Sequence, residues 1–196
     1  TAPTGTIAAM QLIGTTAGQG CTFITLRNCY FSAGHNGSNS YALCAGGSTP
    51  GNTGYDHDSV SVIQCVVSRA QNGIFFSAQS TATYNNLLIQ EDSVGSMTPG
   101  LEVTKQGIYV LNCPGVKIHA NKIFNIVSTN SEARGIVLGA GSINSSLSSN
   151  HINGVRYTGT GIYSICGIQL TPGFTTVNVS VYNNIITDVT GTGSSN

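Results

Sequence analysis

The chain has 196 residues and no net formal charge, and only 7% of its residues are Asp, Glu, Lys or Arg, against roughly 25% in an ordinary soluble domain. Seven basic residues in all are too few for the clustered Lys and Arg that a nucleic-acid partner or a polybasic membrane patch requires, and no run of about 18 apolar residues exists to form a membrane-spanning helix. A hydrophobic content of 40% supports a packed core, which argues against disorder.

The chain begins at Thr1 rather than Met and shows no signal peptide, as expected of a processed protein or an excised piece. The first strand signal is Ile24 and Leu26 flanking Thr25, followed by Leu26-Arg-Asn28-Cys-Tyr30. Residues 34–57 are rich in Gly, Ser and Asn, and Thr49-Pro50-Gly51 reads as a turn, so this segment is expected to be a loop excursion. Val60 and Val62 then alternate with Ser59 and Ser61, leading into Val62-Ile-Gln64-Cys-Val66. Gly73-Ile74-Phe-Phe opens another short strand, and Tyr84-Asn-Asn86-Leu-Leu88 repeats the polar-then-apolar unit. A second loop excursion is expected over residues 91–106, around Thr98-Pro99-Gly100. Gly107-Ile108, Ala120-Asn121-Lys-Ile123, Gly135-Ile136, Ser149-Asn150-His-Ile152, Gly167-Ile168 and Asn183-Asn184-Ile-Ile186 continue both series to the end. Val177, Val179 and Val181 alternate with Asn178 and Ser180 just before the last unit.

Two interleaved repeats emerge. The polar positions Asn28, Gln64, Asn86, Asn121, Asn150 and Asn184 are separated by 36, 22, 35, 29 and 34 residues, and the Gly-Ile pairs by 34, 28 and 32. Such periods are those of solenoids. Strands with period two and no helical stripe exclude βαβ units. The expected fold is all-β: a right-handed parallel β-helix of about six coils spanning residues 1–196 as one domain or part of a longer array. Inward Val, Ile and Leu form ladders. The six polar residues are expected to stack as an internal ladder, because Asn tolerates the left-handed conformation of a bend and its amide can pair with amides above and below.

Chemistry is harder to find. The six cysteines, Cys21, Cys29, Cys44, Cys65, Cys113 and Cys166, contain no C-x-x-C pair, so a zinc ribbon is not expected. They read as small buried hydrophobes, with disulfides as the alternative. Cys29 and Cys65 follow ladder positions and should lie on neighbouring coils. The densest ionisable cluster is Tyr55-Asp56-His57-Asp58. Asp56, His57 and Asp58 are weak candidates for a metal or acid–base site, because in an extended segment His57 points away from the two carboxylates. His35, His119 and His151 are isolated. Glycosylation sequons occur at Asn36, Asn144 and Asn178. Tyr55, Tyr84, Tyr109, Tyr157, Tyr163 and Tyr182 could form a sugar-stacking surface, although strand propensity also places Tyr there. No cofactor is expected.

The run Gly107-Ile-Tyr-Val, Gly115-Val-Lys-Ile, Asn121-Lys-Ile-Phe-Asn-Ile-Val, Gly135-Ile-Val-Leu resembles the pectate-lyase-like right-handed β-helix superfamily. The C-terminal Val179-Ser-Val-Tyr-Asn-Asn-Ile-Ile-Thr-Asp-Val-Thr looks like β-helix repeats of large proteins secreted by Bacteroidota, whose members often carry a type IX sorting domain. The resemblance implies a secreted or cell-surface location, with secretion-system components among the partners. It also raises lyase or glycoside hydrolase activity, since the fold hosts enzymes as well as adhesins. A lyase would use a base such as Lys105 or Arg134, with Glu102 nearby in sequence; a hydrolase would need two carboxylates, and only Asp56 with Asp58 and Glu91 with Asp92 are close in sequence. The charges look scattered, so the expectation is a non-catalytic module, adhesin-like or structural, with a polysaccharide or surface glycan as partner and further coils or a cap at its open ends. The alternatives are an enzyme of the same class and a segment of a large secreted cargo.

Overall fold

A computed structural model describes residues 5–34, 37–81, 83–173 and 177–192. The first coil contains β1 (Ile7–Ile13), β2 (Thr25–Arg27) and β3 (Tyr30–Ser32). The second contains β4 (Ser40–Gly46), β5 (Ser61–Ile63) and β6 (Val66–Ser68). The third contains β7 (Ala70–Ser77), β8 (Leu88–Gln90) and β9 (Ser93–Val94). The fourth contains β10 (Val103–Leu111), β11 (Lys117–His119) and β12 (Lys122–Ser128). The fifth contains β13 (Ala133–Leu138), β14 (Ser146–Ser148) and β15 (His151–Tyr157), and the sixth β16 (Ile165–Leu170), β17 (Ser180–Tyr182) and β18 (Ile185–Gly191). Among the described residues there is no helix, and none long and apolar enough to cross a membrane.

Each strand pairs in parallel with its counterpart one coil away. The result is a parallel β-solenoid of six turns with three faces: β1-β4-β7-β10-β13-β16, β2-β5-β8-β11-β14-β17, and β3-β6-β9-β12-β15-β18. Identical inward positions therefore stack. Leu26, Val62, Ile89, Ile118, Leu147 and Val181 form one ladder. Leu43, Ile74, Ile108, Ile136 and Ile168 form a second, and Phe31, Val67, Val94, Ile123, Ile152 and Ile186 a third. Ladder members in the middle coils are fully buried, worth about 1.5–3 kcal/mol each. Val181, Ile185, Ile186 and Val189 lie on the end coil and are exposed.

The Gly-Ile series is explained by this packing. A methyl group on Gly107 would sit 2.6 Å from the Gly135 carbonyl oxygen and 2.7 Å from Ile123 Cγ2, and Gly73 and Gly135 are crowded in the same way by Val94 and Ile152. The glycines leave the space that the opposite Phe31–Ile186 ladder fills.

The short strands of the second face are bounded by left-handed corners on both sides. Two residues before each strand stand Phe23, Ser59, Asn86, Gly115, Asn144 and Asn178, and directly after it stand Asn28, Gln64, Glu91, Ala120, Ser149 and Asn183; all have positive φ. The internal ladder occupies the next position, one residue beyond the second corner. Asn121 Nδ2 donates to Asn150 Oδ1 at 3.0 Å, and Asn150 Nδ2 to Asn184 Oδ1 at 2.8 Å. The backbone N–H of Asp92 donates to Asn121 Oδ1, and that of Cys65 to Asp92 Oδ1.

Three expected ladder members are corrected by this register. Asn28 and Gln64 sit at the bend itself and are exposed; the inward positions of those coils are Cys29 and Cys65. Asn86 belongs to the corner on the other side of the strand, and Asp92 takes its place in the ladder. Bends and ladder both favour Asn, for different reasons, so the pattern conflated positions one residue apart at Asn28 and Gln64 and opposite ends of the strand at Asn86.

The loop expectations also shrink. Residues 34–57 contain β4, whose core-facing Ala42, Leu43 and Ala45 are fully buried, and residues 91–106 contain β9 and the start of β10. Flanking Gly and Ser hid these short apolar runs.

Candidate functional site

The corner joining the third face to the first varies in length. Residues 95–102, 129–132 and 158–164 make longer connections, whereas Arg69 alone joins β6 to β7, in a left-handed conformation (φ 49°). Beside this tight turn lie two depressions of about 370 Å³ each, sharing Gln71. One is lined by Gly37, Ser38, Glu102, Thr129 and Asn130. The other is lined by Tyr41, Asn72, Gln106 and Tyr109 together with charged residues. Because these side chains come from successive coils, the groove runs along the solenoid axis.

Its floor carries an aromatic stack. Phe75 and Tyr109 occupy the same register on β7 and β10, and their rings stack at 4.7 Å with 10° between planes; Tyr41 meets Phe75 edge-on at 5.1 Å. Phe75 is thus packed between two tyrosines. Burial raises both phenols above their ordinary pKa, Cys44 adding to the effect at Tyr41 and Arg134 opposing it at Tyr109. Both hydroxyls stay neutral and can donate or accept a hydrogen bond.

Charge converges in the same place. Lys105 Nζ lies 3.3 Å and Arg134 Nη1 3.4 Å from the same oxygen, Oε1 of Glu132. Burial pulls the Glu132 carboxyl upward, but its own backbone N–H and the two cations outweigh that and hold it below the usual range. Arg134 Nε and Gln169 Oε1 are buried without a hydrogen-bond partner. Lys105 and Arg134, which looked scattered in sequence, are therefore brought together, and Glu132 was missed. Part of the signal was present: aligning Gly107 with Gly135 sets Gln106 opposite Arg134 and residue 105 opposite 133, one position from Glu132.

Comparison with known proteins gives no match: no family model, no curated protein and no solved structure is significantly similar to the chain.

The Asp56-His57-Asp58 cluster is divided among three tasks. Asp56 accepts the Gly18 backbone N–H one coil back. Asp58 Oδ1 accepts from Asn85 N at 2.7 Å and Asn85 Nδ2 at 3.1 Å one coil forward. His57 is 1% exposed and accepts the Cys21 N–H at Nδ1 (2.9 Å). Its ring packs edge-on against Tyr84 at 4.7 Å, and burial lowers its pKa. Among the described residues no group of three His, Cys, Asp or Glu is placed to hold a metal ion.

The remaining candidates are dispersed. His119 Nδ1 lies 2.9 Å from Ser148 Oγ, His151 is exposed on the third face, and His35 and Asn36 fall outside the described residues. Asn144 and Asn178 are exposed and stacked, Asn178 Nδ2 donating to Asn144 Oδ1 at 3.1 Å. The expected tyrosine surface does not form: Tyr84 and Tyr157 are buried, Tyr163 and Tyr182 are exposed elsewhere, and Tyr109 reaches the groove with Tyr41, which the sequence pattern did not single out. All six cysteines are free. Cys29 and Cys65 are neighbours across one coil step, the Val66 N–H donating to the Cys29 carbonyl at 2.8 Å. Burial pushes the Cys44 thiol up to about 11.

Proposed function

We propose that this chain is a non-catalytic, glycan-binding β-helix module of a secreted or cell-surface protein, and that the axial groove through Gln71 is its binding face. The observation that carries the reading is the lining of that groove. The amide of Gln71 and the hydroxyls of Tyr41 and Tyr109, over a floor that includes the buried amides of Asn72 and Gln106, set neutral hydrogen-bonding groups beside the ring of Tyr109, which suits the alternating polar and apolar faces of a sugar chain. Coils about 4.8 Å apart repeat those groups along one line, as a linear polymer requires. The low charge of the whole surface favours a neutral ligand over nucleic acid.

Resemblance to β-helix repeats of Bacteroidota secreted proteins supports export, with secretion-system components as transient partners. The exposed Ile185, Ile186 and Val189 on the sixth coil favour a further coil or a cap packed there, since bare strand edges invite pairing.

A second reading, a polysaccharide lyase or hydrolase, is favoured by one observation: Lys105, Glu132, Arg134 and Tyr109 share the groove. The two readings separate in one experiment. Soluble neutral and acidic oligosaccharides are titrated by calorimetry against the protein and against Gln71→Ala and Tyr109→Ala. Binding without turnover, weakened at least tenfold by either substitution, supports the module. Absence of binding to every oligosaccharide, or binding indifferent to both substitutions, refutes the groove.

A further inference from the structure

We propose that Asp92 carries a proton in the folded chain and forms a pH-sensitive joint between the second and third coils, completing the amide ladder when neutral and breaking it when ionised. The argument rests on the repeat. In the three coils after it, the ladder residue uses its Nδ2 to donate to the carbonyl of the middle residue of a second-face strand: Asn121 to Ile89 at 3.0 Å, Asn150 to Ile118 at 2.9 Å and Asn184 to Leu147 at 2.8 Å. Asp92 occupies the same position, and Ile89 is in register with Val62. The equivalent relation therefore aims Asp92 Oδ2 at the Val62 carbonyl oxygen. Oδ1 already has the acceptor role, taking the Cys65 N–H at 2.7 Å. Oδ2 is buried and has no partner, as expected of a carboxylate oxygen facing another acceptor. A hydroxyl there would donate where the Asn amides donate.

The surroundings favour the neutral form. Asp92 is 0% exposed and takes part in none of the ion pairs among the described residues. From the second coil it faces the Cys65 amide and thiol. In its own coil it adjoins Gln90 and the exposed carboxylate of Glu91, itself held down by hydrogen bonds from Gln90 and Gln64 and by His119 and Arg27. From the fourth coil it meets Asn121 and Lys122, whose side chain is exposed. Burial raises the Asp92 carboxyl to about 7; the Cys65 and Gln90 hydrogen bonds oppose the shift, and Glu91 adds to it.

The sign follows. A carboxyl raised on folding contributes stability that is fully present below its unfolded value of about 3.9 and is lost as pH rises through its folded value of about 7. Proton release leaves a buried charge between coils two and three and forfeits the bond to Val62.

The test compares the wild-type chain with Asp92→Asn by urea unfolding from pH 4 to pH 8, since all other titrations are shared. The folded-to-unfolded ratio of the variant should gain on the wild type by about tenfold per pH unit across the window between the two pKa values. Infrared difference spectra of the wild type should show a protonated carboxyl stretch that disappears as pH rises past neutrality. Parallel stability profiles, or a carboxyl that titrates wholly in the ordinary acid range, would overturn the proposal. The infrared reading on the wild type decides the matter even where Asp92→Asn folds poorly.

Discussion

The backbone N–H and the side-chain Nδ2 of Asn121 both donate to the single Oδ1 of Asn150, each at 3.0 Å. The same side chain accepts from the Asp92 N–H at 2.9 Å and donates to the Ile89 carbonyl at 3.0 Å. One buried amide thus ties three coils. Replacement by Leu leaves the Asp92 N–H and the Ile89 carbonyl without this partner, at about 1–3 kcal/mol for an unsatisfied buried group. Asn121→Leu should lose at least that much in urea unfolding, and a loss under about 0.5 kcal/mol, the range of an ordinary surface change, would contradict the bridging role.

The glycine positions predict a second, steric sensitivity. Gly107→Ala forces a methyl group against the Gly135 carbonyl and Ile123, and overpacking of this kind costs about 1–3 kcal/mol. Gly5→Ala is the control, because nothing lies within 4 Å of its added carbon. Equal stability of the two variants would show that the first and third faces are less tightly apposed than the 2.7 Å approach to Ile123 requires.

How much of this was readable from the residues depends on what each one reports. Ladders of Ile and Val declare themselves by period two, and Gly107, Gly135 and Gly167 declare the coil length, so the solenoid and its six turns were legible. The exact rung was not. Gln64 and Cys65 differ by one position, yet one turns the chain and the other enters the core, and hydrophobicity does not rank Asn, Cys and Asp as equivalent rungs. Asp92, legible only as half of an acidic pair with Glu91, could not be read as a rung for that reason: a charged type at a buried position runs against pattern. The groove was legible only in part, since Tyr41, Gln71 and Glu132 become neighbours through unequal corner lengths, which no periodicity encodes.

Acid should act through His57. Its Nδ1 accepts the Cys21 N–H, so a proton there opposes that bond, and burial already lowers its pKa. A histidine depressed on folding contributes stability that is present above its unfolded value of about 6.5 and is lost as pH falls from there toward the folded value. Because Asp92 acts with the opposite sign over part of that range, the effect is best read in an Asp92→Asn background. There, the melting temperature should fall as pH drops from about 7 to 5, and His57→Gln should flatten the dependence. A slope unchanged by His57→Gln would assign acid sensitivity to other groups.

The last prediction concerns turnover. Cleavage of a glycosidic bond by paired carboxylates needs one acid kept protonated near neutral pH and a second carboxylate at a defined distance. Glu132, the groove carboxylate with the most neighbours of opposite charge, is held ionised by Lys105 and Arg134, which suits it to neither proton donation nor free attack. Lys105, the candidate base for elimination, is engaged by the same carboxylate. Asp56 and Asp58 are occupied by Gly18 and Asn85, and Asp92, although raised toward neutrality beside Glu91, is 0% exposed and out of reach of a polymer. The expected outcome with a panel of neutral and acidic polysaccharides, with and without calcium, is no release of reducing ends and no unsaturated product. Turnover that survives Asp56→Ala and Asp58→Ala but is abolished by Glu132→Gln or Lys105→Met would place a catalytic centre in the groove and replace the binding-module reading with the enzymatic one.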